Sequence, residues 1–259
     1  MTAQEELVDV RGARIRVLRA GSGAPLVYLH SVLGETSWLP FFDILSRAFT
    51  VYVPAHPGFA GSEGLERTDT FHDVVFHYAD LLDEMGLEKA HVVGLSLGGW
   101  IAAEVAVHYA HRVNKLVLID AMGLKVPGHF IPDIFAADPS ETRSLFFTSP
   151  DSELANSFVS DAPSPEMLDS MLTARQASAR IAWNPYLHDP KLRERLYRVK
   201  APTLILWGEA DRLIPLEYGR LYEQNIKGAR LSIISGCGHL PPLEKPDETA
   251  RYVLEFLQS

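Results

Sequence analysis

The stretch Val92-Val93-Gly94-Leu95-Ser96-Leu97-Gly98-Gly99-Trp100 decides the fold. An apolar strand pattern ends there in a small-X-Ser-X-small turn, and a helical pattern follows at once. On such a sharp strand-to-helix turn a serine hydroxyl projects alone, and glycines beside it let the backbone pass without collision. The stretch therefore predicts a buried strand, a sharp turn that carries Ser96, and a helix over residues 96–108.

Strand and helix patterns alternate on both sides of this turn. The expected strands are short apolar runs bounded by turn residues, at 7–10, 15–18, 25–30, 49–53, 91–94, 115–119, 202–207 and 231–234. This alternation predicts an α/β protein with a mainly parallel sheet and helices on both faces. A helix is expected over 36–48, with Thr36 as its cap. Residues 123–190 carry only proline-punctuated helical patterns, which predicts a helical insertion.

Two polar residues follow later strands. Asp211 comes directly after the strand that ends near Trp207, and His239 follows the last strand. The carboxyl ends of parallel strands share one edge of a sheet, so Ser96, Asp211 and His239 are expected together there. A serine hydroxyl is a poor nucleophile at neutral pH and needs a base, which in turn needs an orienting acid. The three residues therefore predict nucleophilic catalysis.

At this point the chain resembles the α/β-hydrolase family, from its first strand to its last helix. The order serine, acid, histidine is that of the family. The matching motifs are H-P-G-F-A-G-S (56–62), G-L-S-L-G-G (94–99), W-G-E-A-D-R-L-I-P (207–215) and G-C-G-H-L-P-P-L-E-K-P-D-E (236–248). The resemblance implies an eight-stranded, mostly parallel sheet. It also implies a hydrolase core formed by residues 1–122 and 191–259, with a helical cap at 123–190.

The resemblance also implies a role for each site residue. Ser96 would attack a carbonyl carbon, His239 would take its proton, and Asp211 would hold the imidazolium. The backbone N–H groups of Val32 and Leu97 would form the oxyanion hole. Ser31 stands beside Val32 where the family commonly has glycine. Asp120 ends the strand before the insertion, where some members carry their acid, but Asp211 has the fuller motif and is the expected acid.

The aromatic side chains of the insertion predict an apolar pocket suited to a hydrophobic acyl or alcohol group. The candidate substrate-binding residues of the insertion are Phe130, Phe135, Phe146, Trp183, Arg175 and Arg180. The leading hypothesis is a carboxylesterase that cleaves small to medium hydrophobic esters through an acyl-enzyme on Ser96.

Three other activities use this fold. Relatives that hydrolyse a carbon–carbon bond in ring-fission (meta-cleavage) products have similar caps, but they typically carry Asn, Met and Trp where this chain has Leu95, Leu97 and Leu240. An arginine of the cap, Arg175 or Arg180, could bind the carboxylate of such a substrate. The further alternatives are cofactor-free perhydrolysis or haloperoxidase activity with the same triad, and a weakly catalytic small-molecule sensor.

Composition limits the partners of the 259-residue chain. A formal net charge of -9 argues against nucleic acid and against an anionic membrane surface. The N-terminal segment shows no secretory signal pattern, and no apolar run approaches the roughly 20 residues that span a bilayer, so a cytoplasmic protein is expected. With Cys237 as the one cysteine and no metal-ligand spacing recognised, neither metal nor cofactor is expected. A small-molecule substrate is expected as partner, and a homodimer is compatible with the sequence.

Overall fold

The computed structural model describes residues 3–259. Residues 1 and 2, at which the expected hydrolase core and the segment without a signal pattern begin, lie outside the described residues. The described chain forms an eight-stranded sheet in the order β1-β2-β4-β3-β5-β6-β7-β8. Its strands are β1 (Gln4–Val10), β2 (Ala13–Ala20), β3 (Ala24–Leu29), β4 (Phe49–Pro54), β5 (Ala90–Leu95), β6 (Val113–Ile119), β7 (Thr203–Gly208) and β8 (Arg230–Ile234).

The direction of the strands agrees with the sequence. Strands β1 and β2 form an antiparallel hairpin, and β2 pairs antiparallel with β4. All the remaining pairs, from β4 across to β8, are parallel. Every residue of β4, β5 and β7 is buried, as expected for strands covered on both faces by helices. The predicted fold class is therefore confirmed.

Within residues 3–259, ten α-helices connect and cover the strands. They are α1 (Pro40–Leu45), α2 (Phe71–Glu84), α3 (Leu97–His108), α4 (Pro139–Phe146), α5 (Glu153–Phe158), α6 (Pro165–Ala182), α7 (Leu192–Arg195), α8 (Leu216–Asn225), α9 (Pro241–Glu244) and α10 (Pro246–Gln258). No helix among residues 3–259 is both long and apolar enough to cross a bilayer.

One helix is shorter than expected. The sequence suggested a helix over 36–48, but α1 covers only Pro40–Leu45. Proline lacks the N–H that a helix interior needs and is tolerated in the first turn, so Pro40 sets the start of the helix. The amide of Thr36 instead donates to the carbonyl of Gly34 in a turn before the helix.

Residues 123–190 lie between β6 and β7 and hold α4, α5 and α6. We call this segment the helical insertion. Its described backbone forms no strand, as expected, and its two ends meet in an isolated bridge between Gly123 and His188. The insertion therefore begins and ends at the same place, beyond the carboxyl end of β6.

The parallel register brings the ends of the central strands to one edge. Gly94 pairs with Leu118 and Leu95 with Ile119, and Ile119 pairs in turn with Leu206. The residues that follow β5, β6, β7 and β8 consequently emerge on the same side of the sheet, where open α/β folds bind ligands.

Candidate active site

Ser96 occupies the turn between β5 and α3. Its backbone has φ 56° and ψ −114°, a conformation that is strained for a residue with a side chain. The glycines on either side allow the close passage of the chain. A Cβ on Gly98 would lie 2.0 Å from the carbonyl oxygen of Leu29, and one on Gly94 would lie 2.2 Å from the carbonyl oxygen of Gly98. The motif is therefore a geometric requirement of this turn.

Three side chains form one hydrogen-bonded chain. The Ser96 Oγ lies 2.8 Å from Nε2 of His239, and Nδ1 of the same ring lies 2.7 Å from Oδ2 of Asp211. The other oxygen of Asp211 accepts the amide hydrogens of Leu213 and Ile214, at 2.8 and 2.9 Å. These two amides orient the carboxylate. Ser96 and His239 are fully buried, and the side chain of Asp211 is 1% exposed.

Asp120 lies beside this chain without joining it. Its Oδ1 accepts the amide hydrogen of Gly208 at 2.9 Å, whereas no hydrogen bond connects it to His239 among the described residues. Burial, and then the neighbouring charge of Asp211, raise the pKa of Asp120 well above its ordinary value. A neutral Asp120 adds no second negative charge beside Asp211.

Two backbone amides in the loops around Ser96 have no hydrogen-bond acceptor among the described residues. No acceptor within residues 3–259 takes the N–H of Val32 or of Leu97. Leu97 is the first residue of α3, where the helix dipole also favours negative charge. Glu35 fixes the loop that carries Val32. Its buried carboxylate accepts hydrogen bonds from the Ser31 amide, at 2.8 Å, and from the Ser31 hydroxyl. Ser31, which replaces the common glycine, is thereby fixed by Glu35.

An apolar cavity of about 350 Å³ adjoins these groups. Val32 and Phe146 line it, and the ring of Phe146 packs edge-on against His239, with ring centroids 5.2 Å apart. Most of the remaining lining comes from the helical insertion. Arg175 is the one basic residue on the described wall, and its guanidinium donates to the carbonyl of Phe135.

Comparison with known proteins identifies the family of this chain. The sequence model of the Alpha/beta hydrolase family matches residues 22–252. The chain belongs to this family. A 2-hydroxy-6-oxo-6-phenylhexa-2,4-dienoate hydrolase of Comamonas testosteroni is 29% identical, over 96% of this chain and 93% of the relative. A 2-hydroxy-6-oxononadienedioate/2-hydroxy-6-oxononatrienedioate hydrolase of Burkholderia vietnamiensis is 31% identical, over 95% and 92%.

The fold is shared with a solved carboxylesterase of Bacillus subtilis. That structure is 23% identical, with a TM-score of 0.77, over 99% of this chain and 92% of its own. Family and relatives together support hydrolase activity for this chain. They leave open which bond this hydrolase cleaves.

The structure divides the six candidate substrate-binding residues of the hydrolase. Phe135, Phe146 and Arg175 line the cavity. The structure does not bring the other three to this cavity. Phe130 is 91% exposed, and Trp183 is 53% exposed and packs against Phe135 and Tyr186. Arg180 points away, to the carbonyls of Glu66 and Thr68 and the carboxylate of Asp69.

Glu244 has a role in the site that the sequence did not reveal. A glutamate at this place in the sequence is most simply interpreted as solvated or ion-paired. Instead one carboxylate oxygen accepts the Gly238 amide at 3.0 Å, and the other accepts the amide and hydroxyl of Thr148. Glu244 thus ties the His239 loop to the helical insertion. Its place five residues after His239 was the available signal, but its partner Thr148 lies 96 positions away.

Two groups of side chains have the composition of a metal site. Asp120, Asp211 and His239 form the first, but both nitrogens of His239 are already hydrogen-bonded within the Ser96–His239–Asp211 chain. His72, Glu104 and His108 form the second, at a distance from Ser96 along α3. The members of this second group come from two helices, α2 and α3, so their spacing along the chain does not indicate a metal site.

Proposed function

We propose that this hydrolase cleaves a carbon–carbon bond next to a ketone in 2-hydroxy-6-oxo-dienoates, the class named for its relatives from Comamonas testosteroni and Burkholderia vietnamiensis. The observation that carries the proposal is one basic residue, Arg175, on a largely apolar cavity wall whose Phe146 packs against His239. The acidic residue of this wall, Asp161, is paired with Arg143. A substrate with an apolar acyl end and an anionic end fits such a cavity.

In this proposal Ser96 is the nucleophile and His239 the general base. Attack forms a bond between Oγ and the 6-oxo carbon, while the hydroxyl proton passes to Nε2, which lies 2.8 Å away. Asp211 holds the ring so that Nδ1 keeps its proton and Nε2 can accept one. The amides of Val32 and Leu97 are the proposed donors to the developing oxyanion, a contribution supported by their lack of other acceptors.

Breaking the carbon–carbon bond requires a stabilised leaving group. In the 2-oxo tautomer of the substrate, the electron pair of the C5–C6 bond can delocalise as far as the oxygen at C2, giving a dienolate. The dienolate takes the proton held by His239 and leaves as the 2-hydroxydienoate. Water then attacks the acyl group on Ser96, with His239 again as base, and releases the carboxylic acid. Arg175 is proposed to bind the substrate carboxylate throughout.

Residues 123–190 are proposed as the cap of the active site, with the core formed by 1–122 and 191–259. The insertion supplies most of the cavity wall, and Phe146 and Thr148 connect it to the His239 loop. Such a cover excludes water while the carbon–carbon bond breaks.

Carboxylester hydrolysis is the second candidate. Leu97 and Leu240 are buried apolar residues at positions where ring-fission hydrolases typically carry other side chains. An ester needs only the nucleophile, the oxyanion site and an apolar pocket, because its alcohol is a good leaving group. The carboxylesterase with the same fold is consistent with this activity.

One assay separates the two. Purified protein is given 2-hydroxy-6-oxo-6-phenylhexa-2,4-dienoate and, in parallel, p-nitrophenyl esters of increasing acyl length. We expect kcat/KM for the dienoate to exceed that for every ester, and Ser96→Ala to lower both by on the order of 10⁴-fold or more. The exposed Ser157→Ala serves as the matched control. Ester turnover that exceeds dienoate turnover would establish the second candidate instead.

A further inference from the structure

A second cluster of ligating side chains lies between α2 and α3. Nitrogens of His72 and His108 and a carboxylate oxygen of Glu104 all lie within 4.8 Å of one another. Glu104 and His108 are one helical turn apart and share a face of α3. The first turn of α2 supplies His72, and the stacking of Phe71 on Trp100, with ring centroids 3.5 Å apart, fixes this turn against α3.

The Glu104 carboxyl group is buried without a hydrogen-bond partner. Its side chain is 0% exposed, and neither oxygen meets the distance and angle of a hydrogen bond within the described part of the chain. The Trp100 indole and the Asp189 carboxyl group are its polar neighbours. The nearest cationic candidate is Nε2 of His108, 3.5 Å from Oε2. A buried acceptor without a donor is unfavourable and calls for a missing partner.

We propose that His72, Glu104 and His108 bind one divalent transition-metal ion, with Zn²⁺ as the reference ion and water in the remaining position. Two imidazoles and a carboxylate are a donor set that suits Zn²⁺. The bound ion would be the partner that the buried oxygens of Glu104 lack. Ligand bonds of roughly 2.0–2.2 Å require the three side chains to close in by small rotamer changes.

The surrounding charges are nearly balanced. Arg195 is paired with Asp189 at 2.8 Å, and Arg198 donates to the backbone carbonyl of Val107 at 3.2 Å. Neither arginine donates to a member of the cluster within residues 3–259.

The site is separate from the Ser96–His239–Asp211 chain. Glu104 follows Ser96 by eight residues, which corresponds to about 12 Å along the helix. The ion would therefore tie the start of α2 to the end of α3 and stabilise the fold, without contact to the substrate. The proposed metal site does not depend on which bond the hydrolase cleaves.

The test is a Zn²⁺ titration of untagged, EDTA-treated protein by calorimetry, with equilibrium dialysis for stoichiometry. We expect one ion per chain and a Tm raised by about 5 °C or more at saturation. Glu104→Gln and the double variant His72→Ala/His108→Ala should each weaken binding by at least about 100-fold, since even outer-shell partners contribute roughly 10- to 100-fold.

His111→Ala is the matched control, because it removes an exposed histidine near the same end of α3 and should bind Zn²⁺ as the parent does. His72 and His108 are partly exposed, so the double variant is expected to fold even if the buried Glu104→Gln does not. The double variant then tests metal binding by itself. Absence of stoichiometric binding to the parent protein would overturn the proposal. Equal affinity of the parent and the double variant would overturn it as well.

Discussion

Phe146 of the helical insertion is joined to His239 twice. Its ring lies edge-on to the imidazole at an interplanar angle of 82°, and its carbonyl accepts the His239 amide at 3.2 Å. Since Phe146 also lines the apolar cavity, one residue both shapes the pocket and orients the proposed base.

Replacing this ring should therefore affect catalysis beyond its effect on stability. Phe146→Ala is expected to lower kcat/KM by on the order of 10²-fold, because loss of the ring frees the imidazole to shift. Phe147→Ala is the matched control, since Phe147 is equally buried but packs against Phe158. Each variant should lose about 3–5 kcal/mol of unfolding free energy. Steady-state kinetics and urea unfolding measure the two effects, and equal activity losses would contradict the role of Phe146.

The two carboxyl groups near His239 should respond differently to amide substitution. Asp211→Asn is expected to lower kcat by about 10⁴-fold, because an amide favours the wrong imidazole tautomer. Asp120→Asn should change kcat by less than about 10-fold, since its amide oxygen can still accept the Gly208 amide and its neutral charge matches that of a protonated acid. A severe loss in Asp120→Asn with normal activity in Asp211→Asn would reverse the assignment of the acid.

The sequence predicted the Ser96, Asp211 and His239 arrangement for a physical reason. In a parallel sheet the strand ends share one edge, so residues that follow β5, β7 and β8 meet whatever their separation along the chain. Helical periodicity, by contrast, tells which residues share a helix face and leaves open how the helices dock. The sequence therefore did not show that Phe130, Trp183 and Arg180 lie off the wall of this cavity.

Contacts between distant loops were also beyond the sequence. The bond of Glu244 to Thr148 and the meeting of His72 with Glu104 both depend on how separate elements pack. Short motifs hold no information on such pairs. The short α1, in contrast, follows from Pro40, a local signal that the pattern of apolar residues obscured.

Glu35 should act on catalysis through the loop that carries Val32. Glu35→Ala removes the acceptor of two hydrogen bonds, from the Ser31 amide and hydroxyl. The neighbouring Val32 amide can then move away from the place where it would meet the oxyanion. We expect kcat to fall by up to about 10²-fold, comparable to the loss of an oxyanion donor, with little change in KM. Glu35→Gln keeps one acceptor oxygen and should recover part of the rate. A rise in KM with unchanged kcat would contradict a positioning role.

Acid should destabilise the hydrolase through buried neutral histidines. Nε2 of His30 accepts the amide of His56 at 3.0 Å, while its Nδ1 lies 2.7 Å from the carbonyl oxygen of Ser31. Burial lowers the pKa of His30 to about 4. Because the unfolded chain binds this proton near pH 6.5, stability is fully present above that pH and is lost as the pH falls toward 4.

Urea unfolding between pH 7 and pH 4.5 should show this loss, on the order of 2–3 kcal/mol for a single such group. NMR titration of the imidazole signals provides the direct check. The His30 signals should stay those of a neutral ring at pH 5.5, whereas a midpoint near 6.5 would contradict the assignment. His111, an exposed histidine, supplies the internal comparison in the same spectra.

Replacing Arg175 tests whether this side chain binds the carboxylate of the substrate. Arg175 and Arg180 lie on the same helix, but only Arg175 lines the cavity, while Arg180 bonds to the loop at Glu66 and Thr68. Arg175→Gln should raise KM for the dienoate by at least about 10-fold, because a charge-assisted bond to its carboxylate is lost. The same variant should leave KM for a neutral p-nitrophenyl ester within about 2-fold, since that ester offers no anion. Arg180→Gln should change neither value, and an equal rise for both substrates would show that Arg175 shapes the pocket without binding the carboxylate.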